Sequence, residues 1–240
     1  MNRLDAAVVN VADLVAADRA SMFGLYQSYY DGAEISVFNR DLESKDYVVL
    51  LTDSAGSVGG FSTLAVFDDR FENSEIKVLY SGDTIIDKAY WGKNEFAMAW
   101  LQLAGRIKQH SPQTPLYWLL IVKGHRTYRY LSLFSKNYYP RYDVDTPAEQ
   151  QRIMDYLARQ RFGDNYDPDT GLVRLPEPRS YLNEELAPIP QKDSWRPDIR
   201  YFLARNPGYA RGDELLCLCE LETGNLKRFA REWFLAGMRA

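Results

Sequence analysis

The chain alternates apolar and polar positions with two distinct periods, and the changes of period divide it into elements. Leu14, Ala17, Met22, Leu25, Tyr26 and Tyr29 recur at helical spacing, which predicts a helix over 12–30, closed by Asp31-Gly32. Ile35, Phe38 and Leu42 place a second helix over 34–45. Tyr47 to Thr52 reads as a strand, Asp53-Ser54-Ala55-Gly56 as a turn, and Val58 to Phe67 as the returning strand of a hairpin. Ile76 to Ile86 is a third strand with Gly82 inside it, which predicts a bulge or a close approach by another group. A helix over 94–110 carries two apolar stripes, one from Phe96, Trp100, Leu103 and Ile107 and one from Ala97, Leu101 and Ala104. It is expected to pack between layers. Leu116 to Val122 is a buried strand, and a helix over 126–138 is expected to end at Pro140.

Beyond Arg141 the pattern loosens. Pro147 to Phe162 is an amphipathic helix that starts at Thr146-Pro147. Residues 163–197 hold six of the eleven prolines and offer only a short strand at Leu172 to Leu175. A short helix over Arg196 to Asn206, a strand over Leu215 to Leu221 and a helix over Asn225 to Met238 follow. Strands that begin antiparallel and then enter a β-α-β unit imply one parallel pairing. The expected fold class is α/β (α+β). It is a mixed, mostly antiparallel sheet flanked by helices on both faces, with an extended irregular C-terminal part. Residues 1–140 form the core, and residues 141–240 an extension that completes the sheet within one domain.

The 240 residues are 46% hydrophobic with a net charge of −4, which excludes a disordered chain. Two cysteines exclude a disulfide scaffold. No apolar run approaches the roughly 20 residues of a membrane span, and Asp13 and Asp18 break the early apolar stretch, so no secretory signal is read. The expected location is the cytoplasm. Charge is uneven: residues 1–120 hold 10 basic and 16 acidic side chains, whereas Lys123 to Tyr142 holds five basic side chains and His125 with no acid. That block is either an anion-binding surface or a solvated helix face. Nucleic acid is not expected as a partner. Cys217-x-Cys219 with two histidines does not supply the four ligands of a structural zinc site, so no metal is expected. Neither a Gly-x-Ser-x-Gly elbow nor a Walker loop occurs.

From Tyr47 to Pro140 the order of elements resembles the GNAT superfamily, the N-acetyltransferase fold that binds acyl-CoA. Ile76–Ile86 resembles that family's fourth strand, which splays from the next strand and holds the pantetheine arm. Tyr90-Trp91-Gly92-Lys93-Asn94-Glu95-Phe96 stands where the family has its pyrophosphate loop, typically Arg-Gly-x-Gly-x-Gly/Ala. Gly92 matches one glycine, whereas Trp91 stands for the usual Arg or Gln and Asn94 and Phe96 stand for the other two glycines. Backbone N–H groups at such a turn bind phosphate. The resemblance therefore implies donor contacts from Tyr80, Ser81, Gly82, Trp91, Gly92, Lys93 and Asn94, joined by Arg126 and Arg129 of the basic block.

The family often places a general-acid Tyr in the helix after the fifth strand. Phe134 stands at that position here, and Tyr130 and Tyr138, one turn to either side, are the candidates to replace it. Asp83, Asp87 and Glu95 are candidate bases, with Asp83 placed first because it follows the expected bulge. Glu95 has a second reading as a first-turn acid on the helix dipole. His125, directly after the fifth strand, is a further candidate, as a base, an anion contact or a surface histidine.

The resemblance implies an N-acyltransferase that moves an acyl group from a thioester to a small-molecule amine by direct attack, without a tightly bound cofactor. Acyl-CoA is one donor. An acidic acyl carrier protein is the other, whose single phosphodiester suits the reduced glycine loop and whose charge suits Lys123–Tyr142. The N-acyl amino acid and acyl-homoserine lactone synthases are similar in this respect. The alternative is a non-catalytic ligand- or protein-binding module on the same scaffold. In the extension, Arg174, Arg179, Arg196, Arg200 and Arg205 are candidates to grip an acidic acceptor, or else surface charges.

Overall fold

A computed structural model describes residues 4–176 and 180–240, and Arg179 lies outside them. An eight-stranded sheet runs in the order β1-β3-β4-β5-β6-β10-β8-β7. Its long members are β1 (Leu4–Asn10), β3 (Tyr47–Asp53), β4 (Val58–Phe71), β5 (Ser74–Ile86), β6 (Leu116–Val122) and β10 (Glu214–Glu220). The two-residue strands β7 (Tyr166–Asp167) and β8 (Leu172–Val173) close one edge. A separate small ribbon pairs β2 (Tyr30–Asp31) with β9 (Tyr181–Leu182). Every pairing is antiparallel except β5 with β6, which are joined through a helix. The fold class is thus the mixed, mostly antiparallel sheet expected, and β10, β8 and β7 carry it into the last hundred residues.

Helices cover both faces. α3 (Glu95–His110), α4 (His125–Phe134), α6 (Pro197–Arg205) and α7 (Arg228–Met238) pack on one face, against Trp118, Leu120, Val122, Cys217 and Cys219. α1 (Ala16–Gln27), α2 (Ile35–Glu43) and α5 (Ala148–Phe162) pack on the other, where Leu119, Leu216 and Leu218 point. β6 and β10 are buried on both sides, which is why their sequences are continuous apolar runs rather than alternating ones. The two cysteines are buried on one strand face as small apolar groups, and no metal-binding cluster occurs among the described residues. None of the described helices is long and apolar enough to cross a membrane.

Five element expectations are corrected. Residues 4–10 form an edge strand where none was expected, and the first helix spans Ala16–Gln27 rather than 12–30. The helix expected over 126–138 ends at Phe134, because Ser135 turns extended and bridges to Leu226. Tyr138 is therefore not one helical turn beyond Phe134. The strand at Leu172 is two residues long, and the last helix starts at Arg228.

Candidate functional site

β5 and β6 run side by side from Lys77 and Leu116 as far as Ser81 and Leu120. β5 then continues with β4 alone, while β6 continues with β10. The sheet opens at that point. On β4, Ser62 pairs with Thr84 and Leu64 with Ser81, so one extra residue of β5 is accommodated around Gly82 and Asp83. An extra residue re-aims the side chains that follow it. In a regular strand Ser81 and Asp83 would share a face. Here Ser81 accepts from Trp118 Nε1 at 2.8 Å on the α3 side, whereas Asp83 joins Tyr80 on the α2 side. Gly82 is required by close approach, since a Cβ there would lie 2.5 Å from Thr63 Oγ1 and 2.8 Å from Lys45 Cε. The glycine inside the strand pattern thus marks both the bulge and the close approach.

A strand pair that splays beside a bulge is what the GNAT resemblance implies. No protein-family model matches the chain, and no curated protein does. Among solved structures it is similar to the GNAT N-acetyltransferase YhbS from Escherichia coli in complex with CoA, at 13% identity over 55% of this chain and 69% of that one, with a TM-score of 0.38. An acetyltransferase from Trypanosoma brucei matches at 17% identity over 59% of this chain and 100% of that one, TM-score 0.38. Glucosamine-6-phosphate N-acetyltransferase from Arabidopsis thaliana matches at 14% over 56% and 94%, TM-score 0.38. These likenesses concern the course of the chain alone.

Two cavities flank the splay. The first, of about 480 Å³, lies between the end of β5 (Thr84–Ile86), the turn into α3 and the start of α4. Trp91, Gly92, Lys93, Asn94, Arg126 and Arg129 all line it, so these six expected donor residues are brought together. Gly92 needs its glycine for a left-handed φ of +82°, with open space where a Cβ would stand. Trp91 donates Nε1–H to Ile86 O at 2.7 Å, and the Arg126 guanidinium sits 4.7 Å above its ring. Phe96 is buried in the core, so its ring leaves the turn free. Sequence reading missed the far wall of this cavity. Leu182, Leu186, Pro190, Lys192 and Asp193 of the irregular C-terminal segment form it. Asp193 lies 3.9 Å from Arg129, and Arg126 donates to Leu186 O at 3.3 Å. Lys93, Arg126, Arg129 and Lys192 against one acid, Asp193, make the cavity cationic beside the α3 N-terminus, a setting that favours phosphate.

The second cavity, of about 430 Å³, opens on the opposite side of the sheet. Tyr80 lines this cavity and not the first one, because it precedes the bulge on the α2 side. The Arg161 guanidinium lies 3.6 Å and Lys45 Nζ 5.6 Å from the centre of its ring. Asp83 faces the cavity, and its carboxyl is pushed up to about 7. Burial is the main cause and Asp41 adds to it, while Lys123 and Lys45 act in the opposite sense. Lys45 is itself held by Asp41 at 2.6 Å. Lys123, at the end of β6, donates to Ser180 Oγ at 3.1 Å and pairs with Glu214 at 3.5 Å. Asp41, Ser180 and Glu214 carried no sequence signal, whereas Lys123 was visible only as the first member of the basic block. Asp41, Asp83 and Glu214 face Lys45 and Lys123, so the cluster carries one net negative charge when Asp83 is ionised.

Two expected catalytic residues lie elsewhere. His125 is buried, lines neither cavity, and is held down to about 4 by burial and then by Arg126. Tyr138 is buried edge-on against Tyr128 and beneath Arg141, also outside both cavities. Tyr130 lines the first cavity, together with Thr84 and Thr127, and burial pushes its hydroxyl up to about 12. Phe134 packs among Trp100, Trp118 and Tyr130.

Proposed function

We propose that the chain is an acyltransferase that moves an acyl group from a thioester in the first cavity to an amine in the second. The observation that carries this reading is the meeting of a cationic and an acid-bearing cavity at one bulged, splayed strand. The cationic cavity suits a phosphate-bearing thioester, and its 480 Å³ falls in the ordinary range of small-molecule sites. The other cavity's net negative charge suits an amine.

In the step proposed, the amine nitrogen attacks the thioester carbonyl carbon, and the Asp83 carboxylate takes the nitrogen's proton. The C–N bond forms and the C–S bond breaks. Tyr130 gives its phenolic proton to the departing thiolate and is reprotonated from Asp83 through solvent. Gly82 and Asp83 pair with no residue of either neighbouring strand, so their N–H groups are the candidates to stabilise the oxyanion. The donor is acyl-CoA or the acyl-phosphopantetheine of an acidic carrier protein. Asp83, Tyr130, Arg126, Arg129 and the Trp91–Asn94 turn are the site residues of this reading. His125 and Tyr138 act in it only as packing.

Calorimetric titration with acyl-CoA and with an acyl carrier protein, paired with thiol release over a panel of amines, tests it. Binding of either donor with amine-dependent thiol release is expected. Binding of neither overturns the proposal, and tight binding without release identifies a non-catalytic binding module. Arg126→Ala and Lys192→Ala are each expected to weaken acyl-CoA roughly tenfold, about 1.4 kcal/mol, with a shallower salt dependence. Unchanged affinity in both would remove the phosphates from this cavity.

A further inference from the structure

A small void, here called the constriction, shares lining residues with both cavities. Gly82 and Ile121 line it together with the acid-bearing cavity, and Thr84, Thr127, Tyr130 and Phe134 line it together with the cationic one. A transferred group must pass here, so its free space bounds the group's size. That space is about 20 Å³. A water molecule needs roughly 10–15 Å³ by this measure, so the constriction holds little more than one methyl-sized group.

Indole rings fill the rest. Trp118 projects from β6 under the apex of the splay and meets Trp100 of α3 at 4.6 Å between ring centroids. It stacks on Phe134 at 6.0 Å. Its Nε1–H donates to Ser81 Oγ at 2.8 Å, on the last residue of β5 that still pairs with β6. The indole is thus tied to the place where the strands part, and it cannot swing aside without leaving a buried N–H unpaired. Beyond the constriction a longer chain would enter the acid-bearing cavity. An alkyl tail there would strip water from Asp83, Lys123 and Glu214.

Resting on the acyltransferase reading, we propose that Trp118 sets the acyl length, with Ser81 as the positioning residue that locks it. The donors accepted carry two or three acyl carbons. Smaller residues at 118 convert the site to medium-chain donors. A packed core rejects even one or two extra methylenes, so discrimination against eight carbons is expected to reach at least roughly 100-fold.

The test measures kcat/KM for acetyl-, butyryl- and octanoyl-CoA with one amine, in wild type, Trp118→Leu and Ser81→Ala. Wild type is expected to favour acetyl-CoA over octanoyl-CoA by about 100-fold or more. In Trp118→Leu that ratio falls by at least about tenfold. Ser81→Ala, which removes a single oxygen and leaves the core filled, moves the ratio the same way by a smaller factor. That variant keeps the proposal testable if Trp118→Leu does not fold. Near-equal use of acetyl- and octanoyl-CoA by wild type overturns the inference, as does an unchanged ratio in both variants. Wild type that neither binds nor consumes any thioester removes the acyltransferase reading, and this inference with it.

Discussion

Asp83→Asn is expected to lower kcat by about two to four orders of magnitude while the protein stays folded. An amide keeps the shape of the carboxylate and cannot take the amine's proton. The pH profile carries a sharper signature. With its carboxyl near 7, Asp83 is protonated below neutrality and cannot act as a base. The rate should therefore rise through about pH 7 and level off above it, and this limb should vanish in the variant's residual activity. Stability should move the other way. A carboxyl whose pKa is raised on folding binds more protons folded than unfolded between about pH 4 and 7. Folding is thus penalised progressively as pH rises through that window, and the penalty is complete above it. Asp83→Asn removes the penalty, so its Tm should exceed that of wild type at pH 8, and the difference should shrink towards pH 4. A variant equally active, or less stable than wild type at pH 8, would show that Asp83 is a structural carboxylate and not the base.

The largest loss of stability is expected at Gly105 and Gly237, where α3 and α7 cross. A Cβ on Gly105 would lie 2.0 Å from Phe234 O, and one on Gly237 would lie 2.0 Å from Gln102 O. Both obstacles are backbone, so no rotamer change relieves them. Gly→Ala inside a helix normally gains up to about 1 kcal/mol. Here forcing the helices apart costs several times that, because α3 and α7 carry much of one core through Leu101, Ala104, Ala230 and Phe234. A net cost of about 2–4 kcal/mol corresponds to a fall in Tm of roughly 5–15 °C at this chain length. The effect reaches the donor cavity, because Asn94 and Ala97 at the start of α3 and Phe229 and Trp233 of α7 all line it. Gly105→Ala should weaken acyl-CoA as well as lower Tm. A variant with unchanged Tm would mean that the two backbones do not approach this closely.

Much of the arrangement is legible before any coordinates. The hairpin, the strand with an internal glycine, the doubly striped α3 and the buried β6 follow from periodicity, because each buries its pattern against neighbours in the usual way. Gly82 announced the bulge, and Asp83 after it lines the acid-bearing cavity. β1 was not legible. Leu4, Ala6 and Val8 do alternate inward, yet Ala7 and Val9 opposite them are also apolar, so the period is blurred. The end of α4 was misjudged because Pro140 looked like its terminator. In fact Ser135 leaves the helix to bridge Leu226, a partner far along the chain.

The site divides in the same manner. The Trp91–Asn94 turn and the Arg126 and Arg129 pair are local features, and sequence spacing finds them. Lys192 and Asp193 reach the first cavity from the irregular C-terminal segment, where Asp193 meets Arg129 and Leu186 O meets Arg126, and Glu214 reaches Lys123 through the pairing of β10 with β6. Such contacts are fixed by tertiary pairing and leave no mark on local composition. Tyr80 was placed with the donor because it lies on the strand that resembles the family's fourth, but adjacent strand residues face opposite sides of a sheet and Tyr80 lines the other cavity.

A crystal structure with CoA bound is the most direct examination of how this fold is used. The pantetheine arm is expected to lie between Thr84–Ile86 of β5 and the start of α4. Its phosphates should rest on the Gly92–Asn94 turn and Arg126, and its sulfur should point towards Tyr130 and the constriction beside Gly82. Density for CoA in the acid-lined cavity around Asp83, or on a surface away from both cavities, would contradict the assignment of donor and acceptor sides.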